Sequence, residues 1–104
     1  MRCALILSAL MAASSFADLT IEQVYKDIET ERPVNLVVPP DDSNRLFLVL
    51  QRGQILTLPA DRSADQAAVF MDFSDREMEA HKFEEGLLEL TFHPKFKENG
   101  KYYV

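Results

Sequence analysis

Leu46-Phe47-Leu48-Val49-Leu50-Gln51-Arg52-Gly53-Gln54-Ile55-Leu56-Thr57-Leu58 is the stretch that decides the fold. Two apolar runs rich in residues that favour strands flank a short polar connection, and Gly53 supplies a residue able to take a positive φ there. This is the pattern of a β-hairpin. The first run is continuous instead of alternating, which predicts a strand buried on both faces.

Working outward, the same punctuation recurs. Pro33 opens the run Val34-Asn35-Leu36-Val37-Val38 and Pro39-Pro40 closes it, since proline neither donates to a ladder nor continues one. Asp41-Asp42-Ser43-Asn44 follows as a turn whose side chains bond the local backbone. Leu19 to Tyr25 alternates apolar and polar residues as a half-buried strand does. Beyond the hairpin, Pro59 to Gln66 is a polar loop, Ala67 to Phe73 a further strand, and Asp72 to Arg76 a strand end running into an Asx-type turn. Glu77 to Glu85 is charged and is assigned one or two helical turns. Gly86 admits Leu87-Leu88-Glu89-Leu90-Thr91-Phe92, which alternates from Leu88 and ends at His93-Pro94. Asn99-Gly100 is a turn signal before Lys101-Tyr102-Tyr103-Val104. Four closely spaced strands, an excursion and the opening of another hairpin form the rhythm of propeller blades. A sandwich or an open barrel gives a similar string of strands.

The first seventeen residues decide the compartment. Arg2 supplies a positive start, Cys3 to Ala13 an apolar stretch well short of the ~20 residues a bilayer span needs, and Ser15-Phe16-Ala17 a small-residue cleavage site. Residues 1–17 are therefore assigned as a signal peptide and the protein as secreted or periplasmic, with no membrane span after cleavage. An uncleaved anchor or a buried core helix is the alternative. The segment from Asp18 onward has no cysteine, so neither a disulfide framework nor thiolate chemistry is available to it. Removing Arg2, the one charged residue of the leader, takes the net charge from −6 to −7. Such an acidic balance argues against nucleic acid, whose phosphates are bound by Lys and Arg.

Other constellations are weak. His81, Glu84 and Glu85 are three potential metal ligands within five residues, but they lack two-histidine helical spacing, and a surface loop is the better account. With three glycines in the chain no phosphate-cradling loop is available. Tyr102 and Tyr103 are more simply core than a stacking platform.

Three stretches together resemble the opening of the glucose/sorbosone dehydrogenase family: Glu31-Arg32-Pro33-Val34 with Asp42-Ser43-Asn44-Arg45-Leu46-Phe47; Gln51-Arg52-Gly53-Gln54-Ile55; and Glu84-Glu85-Gly86-Leu87-Leu88-Glu89-Leu90-Thr91-Phe92-His93-Pro94-Lys95-Phe96 with Asn99-Gly100 and Tyr102-Tyr103-Val104. That family includes soluble quinoprotein sugar dehydrogenases and hedgehog-interacting-type proteins. The resemblance implies an all-β fold in which residues 18–104 form the first blade and the start of the second blade of a six-bladed β-propeller, with the ring not closed. It implies a quinone-dependent oxidation of a sugar or sugar-like alcohol, with pyrroloquinoline quinone (PQQ) and calcium as cofactors. Their ligands and the catalytic base lie in later blades, so no catalytic, cofactor-binding or metal-binding residue is assigned here, and a single blade is expected to be inactive and poorly soluble alone. His93, in a Phe-His-Pro motif, is not that base. Glu84 matches a position near the sugar and is the one substrate-binding candidate, set against a solvated loop acid. Glu89 stands where the family favours glycine, which implies a shifted strand. The second functional expectation is a non-catalytic propeller module of hedgehog-interacting type, binding protein or carbohydrate.

Overall fold

The computed structural model describes residues 17–76 and 84–104. Four strands, β1 (Pro33–Val37), β2 (Leu46–Leu50), β3 (Gln54–Leu58) and β4 (Ala68–Asp72), form one antiparallel sheet in the order of the chain. A second, two-stranded sheet pairs β5 (Thr91–Phe92) with β6 (Tyr102–Tyr103) around a single helical turn, α1 (Phe96–Asn99). The fold is all-β apart from that turn: one four-stranded blade and the start of a second, in an open arrangement. Among the described residues no helix is long and apolar enough to cross a membrane.

The central hairpin forms as its sequence dictates. Leu50 pairs with Gln54, the Gly53 N–H donates to the Leu50 carbonyl at 3.0 Å, and Gly53 takes φ 105°. That is a three-residue loop closed by a glycine with left-handed φ. Because side chains alternate across a strand, Phe47, Val49 and Ile55 share one face. On that face they are fully buried, and Leu87, Leu90 and Phe92 complete the core. The seam is aromatic. Phe47 meets Phe70 edge-on at 4.8 Å and Phe92 at 4.9 Å, Phe70 reaches Tyr102 at 5.1 Å, and Phe92 packs on Phe96 at 4.5 Å.

The other face is a cross-strand row, Leu36, Leu48, Leu56 and Val69, set side by side by the register. Its outer members are 52% and 59% exposed. The continuous run of β2 is thus buried on one face and half-buried on the other, so the expectation of burial on both holds for one side only. An apolar second face is what a blade stacked between neighbours requires.

Three local expectations need correction. Leu19 to Tyr25 is no strand: Leu19 and Ile21 are fully exposed, and the segment pairs with no ladder. Alternation states what a strand would bury, but a strand also needs an edge to pair with. This segment is instead fixed at one point. The Tyr25 N–H bonds the Arg62 carbonyl at 2.8 Å, its hydroxyl donates to the Pro59 carbonyl, and Arg62 donates to that hydroxyl. The strand predicted from Leu88 shrinks to Thr91–Phe92: the Leu90 N–H is taken by the Glu89 carboxylate at 3.2 Å, outside any ladder. Asn99-Gly100 ends a helical turn instead of making a hairpin turn: Gly100 takes φ 63° and its N–H bonds the Phe96 carbonyl at 2.8 Å, a left-handed helix stop. The helical turns assigned to Glu77–Glu85 fall mostly on 77–83, outside the described residues; Glu84 and Glu85 are not helical.

Three Asp-x-Ser turns pin the loops. Asp41, Asp61 and Asp72 each accept both the backbone N–H and the hydroxyl of the serine two residues on. Burial acts to raise the Asp41 pKa, but the bonds from Ser43 and Arg45 and the Arg45 charge together outweigh it and leave the pKa below its ordinary 3.8. For Asp61 and Asp72 the serine hydroxyl bond is the leading cause of the same lowering. A carboxyl whose pKa is depressed by folding stabilises the native state above its unfolded value and loses that contribution as pH falls through the folded one. Stability should therefore decline below pH 3.8 or so, and Asp41→Asn should make that acid limb shallower. Urea midpoints measured at pH 6, 4 and 3 would check it. Solvent screens these groups, so a gentle slope is expected, and a pH-independent midpoint over this range would contradict the role of the three turns.

Candidate functional site

Glu84 sits exposed in a turn two residues before Gly86 and makes no hydrogen bond or ion pair among the described residues. Its metal-ligand companion in the sequence, His81, lies outside them. Glu85 acts through its backbone: its carbonyl accepts the Gln51 side-chain amide at 2.9 Å.

Gln51 is the residue that sequence reasoning missed. The residue is 4% exposed in the turn between β2 and β3, and it ties that turn twice to the segment that leads into the second sheet. Its Nε2 reaches the Glu85 carbonyl, and its own carbonyl accepts the Leu87 N–H at 2.9 Å. Gly86 lies between these bonds at φ 127°, where an added Cβ would stand 2.3 Å from the Gln51 carbonyl oxygen. The Gln-Arg-Gly and Glu-Gly-Leu motifs are thus two halves of one joint. Their part is packing, not chemistry.

A second tie crosses the seam nearer β1. Glu89 Oε1 accepts the Asn35 side-chain amide at 2.6 Å and the Leu90 N–H at 3.2 Å. The Glu89 carboxylate thus bridges β1 and the segment that leads into β5. Beside it, along the edge of β1 that does not pair with β2, runs a cleft of about 530 Å³ whose lining includes Asn35, Glu89, Val38, Pro40, Phe92 and Pro94. Lys97 reaches across to Asp42 at 3.0 Å, joining α1 to the turn before β2. Among the described residues no group of three His, Cys, Asp or Glu side chains is placed to hold a metal.

Known proteins bear on the two functional expectations. The chain is 36% identical over 84 residues to the HIPL2 protein of Arabidopsis thaliana, a match that takes in 74% of this chain. It is 30% identical over 95 residues, 83% of the chain, to Hedgehog-interacting protein of Mus musculus, and 35% identical over 79 residues to the HIPL1 protein of Arabidopsis thaliana. Its likeness is to Hedgehog-interacting protein and the HIPL proteins. The matches cover 12%, 12% and 11% of those relatives, so the chain spans about an eighth of their length. No family model matches the chain, and no solved structure does.

This corrects the expectation of a quinone-dependent sugar dehydrogenase, and with it the oxidoreductase and PQQ assignments: the matching relatives are Hedgehog-interacting protein and two HIPL proteins, not sugar dehydrogenases. The physical reason lies in the motifs themselves. Gln51, Gly86 and Leu87 build a blade-to-blade joint, which any member of the propeller family needs whether or not it oxidises a sugar.

Proposed function

We propose that this chain forms the first blade, and the start of the second, of an exported, non-catalytic propeller module that binds a protein partner, residues 1–17 being its leader and 18–104 its part of the propeller. The observation that carries this reading is the match to Hedgehog-interacting protein over 83% of the chain. The motif residues with assigned contacts support it, since they serve the joint between sheets. Acidic character favours a partner with basic surface groups.

The test is to immobilise a Hedgehog signalling domain and measure binding of the polypeptide that carries this chain, with an array of oligosaccharides in parallel. Saturable binding to the protein is expected. Binding confined to oligosaccharides, or to neither, would overturn the reading.

A further inference from the structure

The cleft beside β1 has a chemistry of its own. Glu89 is held by two N–H donors, the Asn35 amide and the Leu90 backbone, and both bonds fall on Oε1. A carboxylate oxygen has two acceptor positions, so Oε1 is filled. Oε2 bonds nothing among the described residues, and no cation is paired with Glu89 there. The walls are apolar: Val38, which is 68% exposed, with Pro40, Phe92 and Pro94. Two prolines in its lining and a carboxylate held by two N–H donors limit what binding must order, which lowers its cost.

We propose that this cleft receives a lysine side chain of a protein partner, an inference that rests on the interaction-module reading above. The aliphatic stem lies along Val38, Pro40, Phe92 and Pro94, and the ammonium meets Glu89 Oε2. The stem of a lysine covers apolar surface while its head seeks charge. An arginine fork needs both carboxylate oxygens for its bidentate bond, and here one is occupied; a point charge on a flexible stem needs only the other. The acidic balance, −7 once Arg2 leaves with the leader, draws such a cation in.

The probe is the peptide acetyl-Gly-Lys-Gly-amide, titrated into the isotopically labelled full chain and followed by amide chemical shifts, with the Nζ-acetylated peptide as control. Saturable shifts confined to 35–40 and 89–94 are expected for the lysine peptide, and none for the acetylated one. Glu89→Gln keeps the shape of the side chain and should weaken binding by about tenfold, the scale of one charge-assisted bond. A dispersed spectrum like that of the parent shows the variant folded. Equal response to both peptides, no saturable shift, or undiminished binding by Glu89→Gln would overturn the proposal. Failure here with retained binding to the immobilised Hedgehog domain removes the lysine cleft alone; lysine binding without that partner removes the broader reading instead.

Discussion

Phe47→Ala is expected to cost about 3–5 kcal/mol, enough to unfold this blade within the polypeptide that carries it. Phe47 is fully buried at the centre of the first sheet, and its ring is the contact shared by Phe70 of its own sheet and Phe92 of the second. Truncation removes both edge-on contacts and the ring beneath the Arg45 guanidinium, 5.0 Å from its centroid. It also leaves a void that the flanking strands, held in register on both sides, have little freedom to fill. A chain of 104 residues buries a modest core, so a loss of this size is comparable with its whole stability. The measurement is a urea titration followed by tyrosine fluorescence and near-ultraviolet dichroism, with Val69→Ala beside it. Val69 is 59% exposed on the opposite face and its truncation should cost less than about 0.5 kcal/mol. Similar midpoints for the two variants would show that the aromatic seam does not hold the sheets together.

Gly86→Ala should be nearly as damaging, through geometry alone. The Cβ it adds would lie 2.3 Å from the Gln51 carbonyl oxygen, a backbone atom that cannot step aside without breaking its bond from the Leu87 N–H. At φ 127° an alanine is strained before any clash is counted, by about 1–3 kcal/mol, and a total near 3 kcal/mol is expected once the joint opens. Gly100 provides the internal comparison. It too has positive φ, 63°, but a Cβ there meets nothing within 4 Å, so Gly100→Ala should cost about 1–2 kcal/mol. Urea midpoints should fall in the order parent, Gly100→Ala, Gly86→Ala. The reverse order would mean that Gly86 is not pressed against the hairpin turn.

What the sequence makes legible here is local. The β2–β3 hairpin, the Asp41 and Asp72 turns and the strand ends at proline all follow from neighbours a few residues apart, and they stand close to where pattern and punctuation put them. Leu19 to Tyr25 failed because alternation was its only support; its fixed point depends on Arg62, 37 positions away. The joint was hidden for the same reason. Gln51 reads as one more polar turn residue until the Glu85 carbonyl, 34 positions on, is brought to its amide. Asn35 likewise reads as a polar interruption in a strand, and only the 54-residue return to Glu89 gives it a role. Glu84 came into view through resemblance alone, and the fold leaves it exposed without a partner among the described residues. The choice between sugar oxidation and protein binding could not be made from the blade, because the residues that carry the resemblance are those that hold blades together.

The claim beneath both fold and function is that the Gly86–Phe92 segment is locked onto the first sheet as one unit with it. Amide hydrogen exchange on the full chain tests this at single bonds. The Leu87 N–H, bonded to the Gln51 carbonyl, should exchange at the same slow rate as Val49 and Ile55 and through the same opening. If Leu87 exchanges freely while Val49 and Ile55 stay protected, the second sheet is not joined to the first, and the blade-to-blade seam with its cleft is contradicted.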